Sequence, residues 1–190
     1  PDQNTLFVTD LGSDKIYAHR ILANGLLDES RSEIAITPGN GPRHIRFNAK
    51  GDCAYLLNEL SSDVDVFKVA GSALEKIQSI PADTSAAKVK GSADIHISPN
   101  GKWLLASNRI SSNQVVVFKI EADGKLTRIF HQNVAKIPRN FTFDPSGKFV
   151  LVASQEEDRV QVFSFDDATG SMQDLHQDIA VKSPVSLLIR

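Results

Sequence analysis

Gly41 to Phe67 reads GPRHIRFNAKGDCAYLLNELSSDVDVF, and this stretch decides the fold. It opens with a short strand and turns at Asn48-Ala49-Lys50-Gly51. An apolar strand follows, then a turn at Ser61-Ser62-Asp63 and an alternating strand, VDVFKV. Strict apolar–polar alternation marks a half-buried strand, because successive side chains point to opposite faces. The same order of parts returns downstream. Turns recur at Pro99-Asn100-Gly101 and Pro145-Ser146-Gly147, and Pro1-Asp2-Gln3 reads as a truncated copy. Gly51, Gly101 and Gly147 stand 50 and 46 residues apart, and Gln3 lies 48 before Gly51. Each turn leads into an apolar strand (LFV, AYLL, WLLA, FVLV), a polar turn (GSDK, SSD, SSNQ, EEDR) and an alternating strand (IYAHRI, VDVFKV, VVVFKI, VQVFSF). A less regular fourth strand follows, as in Glu75–Ile80 and Leu126–His131.

Four short antiparallel strands at this period predict an all-β fold, a β-propeller of four-stranded blades. No segment has sustained helical periodicity. Residues 5–40 read as strands two to four of one blade. Residues 41–90, 91–137 and 138–182 read as complete blades, and 183–190 as the first strand that closes a ring, all within one partial propeller domain. Asp83–Lys90 reads as a polar surface loop.

Composition narrows the function. With 190 residues, 41% apolar and 23% charged, the chain can bury a substantial core. A net charge of −2 offers no general attraction to nucleic acid or an anionic membrane surface. No apolar run approaches the roughly 20 residues of a membrane span, and no signal peptide is visible. Cys53 is the single cysteine, so no intrachain disulfide forms; it reads as a small core residue, and a reduced, cytoplasmic setting is expected. Paired His/Cys metal spacing, a phosphate-cradling glycine loop and a nucleophile elbow are all missing from the sequence, so no cofactor is expected.

In a four-stranded blade the first strand lies nearest the axis, and its start meets the end of the second strand across a hairpin. Counting from Lys50-Gly51, Arg43 faces Glu59. One repeat on, the pair is Ala93 and Arg109; the next is Arg139 and Gln155. His44, Asp94, Asn140 and Ser186 are mutually equivalent, and His96 shares a face with Asp94. All are expected to ring one mouth of the central channel, a site for a small molecule. Plainer roles fit the same residues. Arg43 and Glu59 suit a cross-strand ion pair worth about 0.2–1 kcal/mol. His44 and Asp94 suit backbone caps, and His96 a hydrogen-bonded core histidine. Arg109, opposite Ala93, must find an acid elsewhere, stay solvated or await an anion. His19 reads as structural, and His131 and His176 as solvated.

GPRHIRF, NELSSDVDVF, ADIHISPNGKWLLASNR and PRNFTFDPSGKF occur in order, and together the chain resembles the seven-bladed propeller lactonases. That family includes bacterial 6-phosphogluconolactonases and fungal carboxymuconate cyclases. The resemblance implies about four of seven blades here, with the rest preceding Pro1. It implies hydrolysis of a small anionic sugar lactone, 6-phosphogluconolactone, in the pentose phosphate pathway, without metal. By resemblance, Arg43, Glu59 and Arg109 match the family's proposed catalytic Arg and Glu, with the family's histidine upstream of this chain. His44, Asp94, His96 and Arg139 are expected to bind substrate. Further partners are the preceding blades or a second copy. Two rivals stand beside this reading: cyclisation of a muconate to its lactone, and a non-catalytic binding propeller.

Overall fold

A computed structural model describes residues 3–189. Pro1 and Asp2, in the expected truncated turn, lie outside the described residues. The strands run β1 (Thr5–Asp10), β2 (Lys15–Ile21), β3 (Leu27–Ala35), β4 (Pro42–Phe47), β5 (Cys53–Asn58), β6 (Asp63–Ala70), β7 (Ala73–Pro81) and β8 (Ser92–Ile97). They continue as β9 (Trp103–Asn108), β10 (Gln114–Ile120), β11 (Leu126–Asn133), β12 (Pro138–Phe143), β13 (Phe149–Ser154), β14 (Arg159–Phe165), β15 (Met172–Asp174) and β16 (Ile179–Ala180). They form four antiparallel meanders: β1-β2-β3, β4-β5-β6-β7, β8-β9-β10-β11 and β12-β13-β14-β15, with β16 also on β14. These are the blades. A single 3₁₀ turn, Gln155–Glu157, interrupts the strands among the described residues.

The second strands explain why the blades stack. β5 reads CAYLLN, buried throughout and without alternation, because both of its faces meet a neighbouring blade. Ala54 and Leu56 pack with Ile16, Ile36 and Phe67 toward the first blade. Tyr55 and Leu57 pack with Ile95, Leu104, Ala106 and Phe118 toward the third. One repeat on, Trp103 and Leu105 leave β9 on the other face, to meet Phe141, Val152 and Phe163 of the fourth. The core is therefore three apolar layers between four sheets, each filled by the period-two alternation of its strands. The outward face of β1 has no such neighbour, and Leu6 and Val8 are each 41% exposed.

Residues 184–189 differ from the sequence expectation. They run as irregular chain. A strand is defined by ladder hydrogen bonds to a neighbour, and no described strand pairs with this segment in that way. Leu187 instead donates its backbone N–H to the side-chain oxygen of Asn140, at 2.7 Å. The Asp83–Lys90 connection is also less peripheral than expected. Asp83 is buried; Ser111 and Ser112 donate to its carboxylate, and Ser85 N–H does so at 2.8 Å.

Three first strands carry the same irregularity. The pairing of β4 with β5 skips from Pro42 to His44; β8 with β9 skips from Ser92 to Ile95; β12 with β13 skips from Pro138 to Asn140. A bulge of this kind turns side chains out of the pleat and re-aims them. It falls on Arg43, Ala93-Asp94 and Arg139, the positions that the repeat comparison singles out.

Candidate functional site

Two short backbone bonds fix the upper level of the site. Glu59 N–H donates to the Gly41 carbonyl at 2.7 Å, and Arg109 N–H to the Gly91 carbonyl at 2.7 Å. The fourth blade repeats the contact, Gln155 N–H to Ile137 O at 3.0 Å. Each bond ties the residue after a second strand to the entry of its own first strand. The three side chains are thereby presented from equivalent points of three blades.

Glu59 joins two of them. Its Oε2 accepts from Arg43 Nη1 at 3.1 Å, and its Oε1 accepts from Arg109 Nη2 at 2.8 Å. The sequence pairing of Arg43 with Glu59 holds as a contact, and Arg109 finds its acid across the blade boundary. The Ala93 carbonyl opposite Arg109 is used by Arg43, whose Nε donates to it at 2.6 Å. The Arg43 carbonyl accepts from the Thr9 hydroxyl of the first blade, at 2.5 Å. Three blades thus meet at this point.

The cluster has more positive than negative charge. Burial lowers the pKa of Arg109; Glu59 opposes that, while Arg43 and Arg139 add repulsion. The buried Nε of Arg109 has no hydrogen-bond partner. The Arg139 side chain has no hydrogen bond or ion pair among the described residues. Two guanidiniums therefore share one carboxylate, and the third stands nearby without a counter-ion. Both oxygens of that carboxylate are engaged, which suits Glu59 to pinning the arginines in place and leaves it poorly suited to accept a proton.

One residue further along the first strands lies a second cluster, centred on Asp94. This carboxylate is fully buried. His44 Nδ1 meets Oδ1 at 2.9 Å and His96 Nε2 meets Oδ2 at 3.0 Å. The Ile95 N–H donates to Oδ1 at 2.9 Å; the Asn140 side chain and, at 3.4 Å, Phe141 N–H donate to Oδ2. Burial alone would raise the pKa of Asp94. The hydrogen bonds from His44 and His96 outweigh it and hold the carboxyl well below the usual range. His96 also stacks edge-on against Phe141, with ring centroids 5.0 Å apart. These residues line a groove of about 550 Å³ with Arg46, Thr142 and Ser186. Arg46 reaches it by donating Nε to the Ile95 carbonyl at 3.0 Å.

The expected single ring is thus two levels: Arg43, Glu59, Arg109 and Arg139 at the strand entries, and His44, Asp94, His96 and Asn140 lining the groove. Among the described residues no group of three His, Cys, Asp or Glu side chains is arranged to hold a metal ion. Cys53 is buried and Lys68 Nζ sits 3.4 Å from its sulfur, a core position. Sequence reasoning missed Arg46 and the role of Asn140 as a clasp on Asp94, because both depend on which neighbouring strand lies within reach.

The depressed pKa of Asp94 links to stability. Its folded value lies below its unfolded one, so its contribution is present above the unfolded pKa of about 4 and is lost as pH falls through the folded value. Urea unfolding of wild type beside Asp94→Asn is expected to show a stability gap that narrows as pH drops from about 4 toward 2. A gap constant over that range would mean that Asp94 is not held ionised by its donors.

The family model described as "Lactonase, 7-bladed beta-propeller" matches residues 1–189. The chain belongs to this lactonase family. A 6-phosphogluconolactonase of Formosa agariphila is 38% identical over 98% of the chain, which corresponds to 54% of that relative. A 6-phosphogluconolactonase of Yersinia pestis is 32% identical over the whole chain and 58% of its own length. Among solved structures, the Pseudomonas aeruginosa periplasmic gluconolactonase superposes with a TM-score of 0.92 at 35% identity, covering 98% of this chain and 53% of that one. The chain spans about half the length of the curated relatives it matches, as a partial member of this seven-bladed family would.

Proposed function

We propose that the whole protein hydrolyses a sugar-acid lactone, with 6-phosphogluconolactone as substrate and 6-phosphogluconate as product. One observation carries this reading: two arginines share a single glutamate at the entry of adjacent first strands, with the unpaired Arg139 close enough to repel Arg109, beside a groove of small-molecule size. The surplus cation suits a substrate that is anionic at the start and gains oxyanion character as its carbonyl is attacked. Arg43 and Arg109, pinned by Glu59, present planar donors to the developing oxyanion. Arg139, unpaired, takes the substrate phosphate. The names of the two 6-phosphogluconolactonase relatives support the substrate class. A phosphorylated substrate goes with a cytoplasmic setting, since a phosphate ester does not cross a bilayer unaided. The periplasmic gluconolactonase relative favours a second reading, the unphosphorylated lactone.

Arg139→Ala separates the two readings. A charge-assisted contact to phosphate is worth roughly 1.5–3 kcal/mol, or about a 10- to 100-fold rise in KM. That rise is expected for 6-phosphogluconolactone, with KM for gluconolactone within about 2-fold of wild type. Equal effects on both lactones would remove Arg139 from phosphate binding.

A further inference from the structure

The proposed chemistry needs a proton acceptor, and Glu59 is committed to two guanidiniums. We infer that His44 is the general base of the lactone site, held in its working tautomer by buried Asp94. This deepens the lactonase reading and rests on it.

The tautomer follows from the partners. An ionised carboxylate only accepts hydrogen bonds, so the ring nitrogen facing it carries the proton. Asp94 therefore fixes the proton of His44 on Nδ1, at 2.9 Å from Oδ1. Nε2 is left with a lone pair and has no hydrogen-bond partner among the described residues. The His44 side chain is 39% exposed and lines the groove. His96 makes the opposite use of the same carboxylate. It presents Nε2 to Asp94, packs on Phe141 and is 23% exposed, which makes it a clasp. With His96, Asn140 and two backbone N–H groups also donating, Asp94 has a fixed position against which the imidazole is oriented. A third group that orients a base toward its reactant is a recurring arrangement in acyl transfer.

The step balances as follows. A water oxygen bonds to the lactone carbonyl carbon while its proton passes to Nε2 of His44. The carbonyl electron pair moves to oxygen, beside the guanidiniums at the strand entries. Collapse of the tetrahedral species breaks the ring C–O bond. The leaving alkoxide takes the proton back from Nε2, and the new carboxylic acid loses its own proton to solvent. Asp94 stays ionised throughout, so it is a positioning residue.

The test uses the full natural polypeptide and 6-phosphogluconolactone, with gluconolactone in parallel. His44→Ala is expected to lower kcat about 10²-fold, with KM within about 3-fold, as removal of a general base does. Added imidazole should restore a substantial part of that rate, which a purely structural loss would not allow. Asp94→Asn should lower kcat by a similar factor while His44→Gln, a folding control, keeps the wild-type unfolding midpoint. If wild type turns over lactone and His44→Ala stays within about 3-fold of it, or imidazole restores nothing, His44 is not the base. If wild type turns over neither lactone, the functional reading fails and the base assignment fails with it.

Discussion

Glu59→Gln in the full natural polypeptide is expected to cut lactone turnover about 10³-fold and to lower stability by about 2–3 kcal/mol. The amide keeps the shape of the side chain and loses the chemistry. Its oxygen accepts from one guanidinium, and its NH₂ then faces the donors of the other. Arg109 is buried, already has an unpartnered Nε, and is repelled by Arg43 and Arg139. Loss of the shared carboxylate leaves that repulsion without compensation. Glu59 is itself 18% exposed, so water screens part of the effect, and the figure stands below that for a fully buried pair. The double loss separates a pin from a base. A base removed at Glu59 would lower kcat with little change in the urea midpoint. A pin removed there lowers both, and millimolar sulfate should restore stability by standing in for the carboxylate. A Gln variant as stable as wild type would contradict the pin.

Gly124→Ala is expected to cost about 2–4 kcal/mol, because two penalties add. Gly124 lies in the turn between β10 and β11 with φ +87°, and a Cβ there would stand 2.4 Å from the sulfur of Cys53 in the preceding blade. The same turn receives the Tyr55 hydroxyl, which donates to the Gly124 carbonyl at 3.1 Å. This is a docking point of one blade on the next, and it sits at the edge of the apolar layer between them. Gly71 supplies the control: its φ is +60°, and nothing lies within 4 Å of its would-be Cβ. Gly71→Ala should cost about 1 kcal/mol, the backbone penalty alone. Urea unfolding of both variants reads the difference. Equal losses would mean that blade docking does not depend on the close approach at Cys53, whereas partial rescue of Gly124→Ala by Cys53→Ala would support it.

The repeat was legible because each blade spells its turn and strands in the same order. Strand positions follow from period-two alternation, and the buried β5 and β9 from its absence. The Arg43–Glu59 contact was legible too, since a hairpin brings those positions together. Two features were not. Bulges at Arg43, Asp94 and Arg139 leave no mark in composition, yet they aim the side chains toward the next blade. The Glu59–Arg109 and His44–Asp94 contacts cross a blade boundary, joining residues 50 apart, and depend on how neighbouring sheets are rotated. The sequence reading placed Asp94 at the channel mouth as a substrate-binding residue or, more plainly, a backbone cap; five donors around a fully buried carboxylate make it the centre of the lower cluster. The closing first strand read at 183–190 forms no ladder among the described residues, because a strand pattern needs a neighbour before it becomes a strand.

The central claim is that these clusters open a lactone ring. The most direct measurement is proton release on adding 6-phosphogluconolactone to the full natural polypeptide at constant pH, corrected for spontaneous hydrolysis. The account predicts saturable release well above the spontaneous rate, reduced about 10³-fold in Glu59→Gln. Release no faster than the spontaneous rate, for this lactone and for gluconolactone alike, would contradict it.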